Sequence, residues 1–351
     1  MANVTYTVPN KNGSYDGDMV LKQYTSMTIN GGDTVTVDQP CRGLFIYVTG
    51  DVTINGTLSM NHRGASANPT SSGGSDSNAV DSNGLRLGLF ASGGSSSLTS
   101  AATLFNGAGT SVRTAIANQP SINSNGVILQ SIRANTSVDG FNNVTRNSSS
   151  SYGTPSAKSS VANSTGSGGR GGYWMNNARA QNYVYGGYSS CFGGGSGGGG
   201  WNGNGNSSAG TNTNATNYGG QGGSGASNHS YNGMAGGAGN PRGGDTGNVG
   251  VSGQNGTGGC IWLIVGGNIT IGGSGIICAD GANGGRIISG GDFNSGGGGS
   301  GGGRIIIAHK GTYTNNGTVQ ANGGSGGSKV AGYSEAGQAG MNGSITVQQI
   351  Q

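Results

Sequence analysis

The chain holds 351 residues at a net charge of +4, and 80 of them are Gly, roughly three times the usual share of about 7%. Only 8% are charged, and the acids are eleven Asp and a single Glu, Glu335. So little Lys and Glu, with Gly costing about 1 kcal/mol per helical position relative to Ala, argues against a mainly helical fold. Disorder is argued against by the small net charge and by β-branched runs such as Leu44-Phe45-Ile46-Tyr47-Val48 and Ile305-Ile306-Ile307. The reading is an ordered all-β fold in which Gly is structural.

Residues 1–63 read as an N-terminal strand region. Thr28-Ile29-Asn30-Gly31 returns as Thr53-Ile54-Asn55-Gly56, 54 − 29 = 25 residues on, close to one coil of a stacked β-solenoid. Val, Ile, Thr and Tyr suit a pleated, half-buried surface. Asn-Gly and Gly-Gly supply the positive-φ residues of tight turns.

Residues 64–165 form a Ser/Asn-rich insertion. Leu98, Ala101, Ala102, Leu104 and Phe105, then Val112, Ala115 and Ile116, have the spacing of two short helices.

Residues 166–258 are the Gly-rich centre, with runs such as 193–200 and 219–225. Two readings stand for it, a layered stack of extended glycine helices with three residues per turn, or a set of loops. The same choice attaches to 296–303. Within 29 residues this centre carries Tyr173, Trp174, Tyr183, Tyr185, Tyr188, Phe192 and Trp201 among Gly, Ser and Asn. Tyr and Trp among small polar residues is the mixture of binding loops, and stacking on sugar rings would suit it. The same rings serve equally to cap glycine layers or fill a subunit interface.

Residues 259–351 are C-terminal β-repeats. The pattern of 42–60 returns at 260–278 and again at 304–321, 304 − 260 = 44 residues apart, with a clipped echo at Gly343-Ser-Ile-Thr-Val347. Stacked short strands, in a solenoid or a sandwich, follow from this.

Chemistry is hard to find. The sixteen Lys and Arg form no basic run, so no nucleic-acid surface is expected. No Gly-Lys dipeptide exists for a phosphate loop, and Gly236-Gly-Ala-Gly-Asn-Pro241 has Pro where a calcium β-roll needs Asp. His62, His229 and His309 lack ligand-spaced partners, so neither metal nor cofactor is expected. Asp280 and Asp292 are the nearest carboxylate pair of the kind a depolymerase uses, and read as turn formers instead. Cys41, Cys191, Cys260 and Cys278 read as small buried apolar residues. No stretch approaches the roughly 20 apolar residues of a membrane span. The start has neither a basic nor an apolar leader segment, so export by the general secretory route is not expected.

The stretch 16–65, with Lys22-Gln-Tyr-Thr-Ser-Met-Thr-Ile-Asn-Gly31 and Pro40-Cys-Arg-Gly-Leu-Phe-Ile-Tyr47, resembles Gly-rich exterior proteins of bacteriophage virions. Such proteins occur as tail fibres, adhesins and head decorations. The Gly-rich centre separately resembles tail-tip adhesins that stack polyglycine helices. The resemblance implies a non-enzymatic virion exterior protein, attached to other virion proteins through 1–40. Two alternatives go with it, an adhesin for host glycan or outer-membrane protein, and a self-assembling extracellular filament. Solenoid ends and strand edges need covering, so a homo-oligomer is expected, with a trimer suggested by analogy to fibres.

Overall fold

The computed structural model describes residues 1–64 except 10, 12, 13, 15, 16, 18 and 42, then 166, 168, 169, 171, 193–195, 197 and 237–239. It further describes 250–288 except 252, together with 295–329 and 336–349. The candidate helices between 98 and 116 lie outside these. Among the described residues there are sixteen strands and no helix.

The strands are short because each is one side of a three-sided circuit. After β1 (Val4–Tyr6), the first circuit runs β2 (Val20–Tyr24), β3 (Met27–Ile29) and β4 (Thr34–Val37). The second is β5 (Leu44–Val48), β6 (Val52–Ile54) and β7 (Thr57–Ser59). A separate two-residue strand, β8 (Gly250–Val251), precedes the third circuit, β9 (Cys260–Val265), β10 (Ile269–Ile271) and β11 (Ile276–Cys278). Then come β12 (Arg286–Ile287) and the fourth circuit, β13 (Arg304–His309), β14 (Tyr313–Asn315) and β15 (Thr318–Gln320). β16 (Ser344–Gln349) ends the order.

Each side of the circuit stacks into one parallel sheet, ordered β16-β13-β9-β5-β2 on the first side, β14-β10-β6-β3 on the second and β1-β4-β7-β11-β15 on the third. The repeats are the registers. Thr28 pairs with Thr53 and Ile29 with Ile54, while Cys260 pairs with Arg304. β5, β6 and β7 pair directly with β9, β10 and β11, so the first and last sequence regions form one stack across some two hundred intervening residues.

Alternation decides what lies inside. Leu44, Ile261 and Ile305 neighbour one another across three strands, as do Ile46, Leu263 and Ile307, all fully buried in one core with Ile29, Ile54, Leu58, Ile271 and Ile277. Full burial of each such side chain stabilises by about 1.5–3 kcal/mol. β9 and β13 are buried on both faces, since Trp262, Ile264, Ile306 and Ala308 on the other face are also inaccessible. Their unbroken apolar runs are the signature of a parallel strand covered on both sides. At the turns, side chains satisfy the backbone of the next circuit. Asp51 accepts the Asn268 N–H at 2.7 Å, and Asn268 Oδ1 accepts the Thr312 N–H at 2.8 Å. Likewise Asn283 Oδ1 accepts from Ser325 at 2.8 Å.

Between the third side of one circuit and the first side of the next, the chain makes glycine-rich excursions. Residues 295–303 are buried throughout, yet contain neither strand nor helix. Their hydrogen bonds go sideways, and residues three apart serve the same neighbour. Gly297, Ser300 and Gly303 donate to the carbonyls of Gly285, Ala282 and Ala279 at 2.9, 2.9 and 2.7 Å. Gly299 and Gly302 donate to Gln338 and Met341, both at 2.9 Å. In return, the carbonyls of Gly297 and Ser300 accept from Gly327 and Gly324, and those of Gly299 and Gly302 from Gly169 and Gly166. Ala238 and Gly258 donate to Gly298 and Gly301, and Gly301 donates to Gly195. The row is thus surrounded by backbone.

That proximity explains the glycine. A Cβ on Gly299 would stand 2.0 Å from the Gly324 carbonyl oxygen, and one on Gly340 2.0 Å from that of Ser300. By contrast, a Cβ on Gly31, in a turn of the strand stack, would meet only the Asn55 carbonyl at 3.9 Å. Gly299→Ala is expected to destabilise by at least the ~1–3 kcal/mol of overpacking. Gly31→Ala is expected to be neutral or to stabilise by up to ~1 kcal/mol through the unfolded chain. Denaturant midpoints of the two variants check the contrast.

Candidate functional site

The aromatic residues Tyr173, Trp174, Tyr183, Tyr185, Tyr188 and Trp201 lie outside the described residues, as do Phe192, His229 and Asp292. What is described is the framework that brackets them. The row at 166–169 is bonded to Gly302 at Gly166 and to Gly299 at Gly169, so it runs away from the strand stack towards Gly171 and the start of 172–192. The row at 193–197 runs the same way, with Gly194 bonded to Gly258 and Gly197 to Ala238, and leads into 198–236.

The far end of the glycine rows has its own construction. Gly297 donates to Gly285 there, and β12 immediately follows and pairs antiparallel with β8, Arg286 against Val251 and Ile287 against Gly250. Val251 is 46% and Ile288 60% exposed, in contrast to the fully buried Ile261, Ile269, Ile271 and Ile277 nearby in sequence. Val251, Ile288 and Arg286 are thus exposed at this end.

The other sequence candidates are occupied structurally. Asp280 Oδ1 accepts the Asn322 N–H at 2.7 Å and its Oδ2 accepts from Gln320 Nε2 at 2.5 Å, while the Asp280 N–H donates to Asn61 Oδ1 at 2.6 Å. The carboxylate is one rung of a turn ladder, which is the role expected of a turn-forming Asp. His309 is buried, with Nδ1 2.7 Å from the Gly311 carbonyl and its ring stacked on Tyr313 at 5.6 Å. Cys41, Cys260 and Cys278 are buried, as expected of small apolar residues, and Cys191 lies outside the described residues. Burial pushes the Cys260 thiol up to about 12 against the opposing charge of Arg304, far from a reactive thiolate. Burial likewise raises Cys278. Among the described residues no three His, Cys, Asp or Glu side chains gather as metal ligands, and no helix is long and apolar enough to cross a membrane.

Sequence reasoning passed over one strained position. His62 has φ 59°, in the left-handed region, and its N–H donates to the Asp280 carbonyl at 3.0 Å. Gly256, at φ 112°, lies directly against it, where a Cβ would clash with the His62 side chain and backbone. The sequence signal was weak, since Asn61-His62 is not a familiar turn pair.

No protein-family model, curated protein or solved structure matches this chain.

Burial holds His62 below the ordinary histidine range, aided by the Arg63 charge and opposed by the Gly281 backbone and Asp280. A histidine with a lowered folded pKa refuses a proton that the unfolded chain accepts. Its contribution is complete above about pH 6.5 and is lost as pH falls below that value, at up to about 1.4 kcal/mol per pH unit. His62→Asn keeps a residue tolerant of left-handed backbone and removes the titration. The variant is expected to show a flatter stability profile below pH 6.5 than the parent in chemical denaturation.

Proposed function

We propose that this chain is a non-enzymatic structural protein of a virion exterior, a phage fibre or capsid decoration, built as a β-solenoid from which polyglycine layers project. The observation that carries this reading is the fully buried row 295–303, tied by backbone hydrogen bonds to neighbours on every flank. The three-residue repeat of those bonds is the period of an extended left-handed helix, and close contact at every turn is possible only for Gly and a few small residues. Such a framework spends almost no side chains on its own stability. It suits a particle exposed to proteases and changing solvent, where a loop-built surface would be opened.

A second reading, the receptor-binding adhesin, is favoured by the exposed Val251 and Ile288 at the far end of the rows. The bracketing rows at 166–171 and 193–197 lead into the segments that carry Trp174 and Trp201. In this reading the solenoid is the stem and the far end of the glycine layer is the tip, with host glycan or outer-membrane protein as the ligand.

Binding of purified protein to candidate host cells separates the two. Under the structural reading, a stable protein shows no saturable binding and associates instead with the virion particle. Saturable binding that falls at least tenfold in a folded Trp174→Ala/Trp201→Ala variant would replace it with the adhesin reading.

A further inference from the structure

Among the described residues, the two ends of the strand stack are incomplete layers, and in complementary ways. At the C-terminal end, β16 adds a strand to the first sheet, one layer beyond β13. Among the described residues nothing continues the other two sheets in that layer, where β14 and β15 are the edges. The step leaves inward-facing side chains bare. Ile345 and Val347 continue the core columns of Ile305 and Ile307, yet they are 42% and 40% exposed.

The N-terminal end has the opposite step. β1 adds a strand to the third sheet beyond β4. Met1 covers the second sheet, its amino group donating to the Thr28 carbonyl and its own carbonyl accepting from Asn30 Nδ2 at 3.4 Å. Asn3 Oδ1 accepts the Thr34 N–H at 2.8 Å, which fixes this segment over the edge. On the first sheet, β2 is the edge among the described strands. One end therefore supplies the first side of a layer, and the other supplies the second and third sides.

We infer that the occupant of each end is the opposite end of a second copy of this chain, the two partial layers combining into one complete layer. β16 of one copy lies beside β2 of the next, and Met1 and β1 of that next copy lie beside β14 and β15. The existing registers extend across the joint. Val20, Leu44, Ile261, Ile305 and Ile345 occupy one column, so Ile345 meets Val20 of the second copy. Val35, Leu58, Ile277 and Val319 occupy another, so Val319 meets Val4. The apolar residues only partly buried at the core margin are Met1, Val4, Tyr24, Tyr313 and Val319, which all lie at these two ends. Strand direction is preserved, because every pairing within the three sheets is parallel. The column of Val347, Ile307, Leu263 and Ile46 ends on Lys22, so Val347 meets the aliphatic stem of Lys22 across the joint. Backbone pairing at an open edge supplies affinity, and the Ile345–Val20 and Val319–Val4 contacts supply register. A contact between unlike ends repeats without closing along the stack axis and builds a line of copies. This joint stands independently of the virion reading and needs no host receptor.

Sedimentation velocity over about a hundredfold range of concentration tests it, since association by mass action must grow with concentration. The parent is expected to form a ladder of dimer, trimer and longer species. Ser344 donates its N–H to Gly303, so by alternation the Val347 N–H points to the open side, and Val347→Pro blocks the C-terminal edge without breaking the pairing to β13. Val4→Glu blocks the N-terminal end. Each variant alone is expected to remain a monomer with native circular dichroism, and an equimolar mixture is expected to form dimers and nothing longer. A parent that stays monomeric throughout overturns the inference, whatever the variants do. A parent that stops at a dimer, or a mixture of folded variants that fails to pair, overturns it as well. Host-cell binding by a monomeric parent would leave the adhesin reading standing while this one fell.

Discussion

Backbone packed directly on backbone is the constraint from which the rest of this structure follows. Where Gly299 and Gly302 lie against Gly324 and Ala321, there is no volume for even a methyl group, so the chain must give up side chains along whole rows. In exchange, the buried peptide units of 297–303 find partners in neighbouring rows rather than along their own chain. A buried row without such partners would leave polar groups unsatisfied at about 1–3 kcal/mol each, and would not persist. Glycine is therefore held here by sterics, even though it loses more conformational entropy on folding than any other residue.

The strand stack and the glycine rows depend on one another through shared residues. Ala279 leaves β11 and accepts from Gly303, which leads into β13, so the base of each excursion is tied where it departs from the stack. Gly64 donates to Thr257 and Gly259 to Met60, which closes the gap between the second and third circuits. Ser300 marks where a side chain is admitted among the rows. Its hydroxyl accepts the Ala282 N–H at 2.6 Å and donates to the Gly256 carbonyl at 2.9 Å. A serine hydroxyl here does what a further backbone group would do.

Much of the strand stack was legible in the sequence, because its repeats are its registers. Thr28-Ile29 and Thr53-Ile54 pair residue for residue, and Arg304 pairs with the Cys260 that opens the preceding repeat. The joining of the first region to the last was less visible. Its sign was the return of the 42–60 pattern at 260–278, within which Thr270-Ile271 pairs with Thr53-Ile54 in the same register. The choice between glycine layers and loops at 296–303 was not decidable from composition, since a buried glycine row and a mobile glycine loop have the same residues. Only the partners distinguish them, and these come from distant segments such as 166–169 and 337–343. The complementary ends were illegible for the same reason. Ile345 and Val347 look like core residues in sequence, yet they are exposed, with no further strand beside β16 among the described residues.

Hydrogen exchange of the glycine amides tests the central claim most directly, because it reads backbone hydrogen bonds that no side-chain probe can see. If the rows are a bonded framework, the amides of Gly297, Gly299, Gly301, Gly302, Gly324, Gly327 and Gly340 exchange as slowly as those of β9 and β13, through global unfolding. Exchange of these glycines at the rate of free peptide, with β9 and β13 still protected, would contradict the account. It would show the rows to be loops and the strand stack to stand without them.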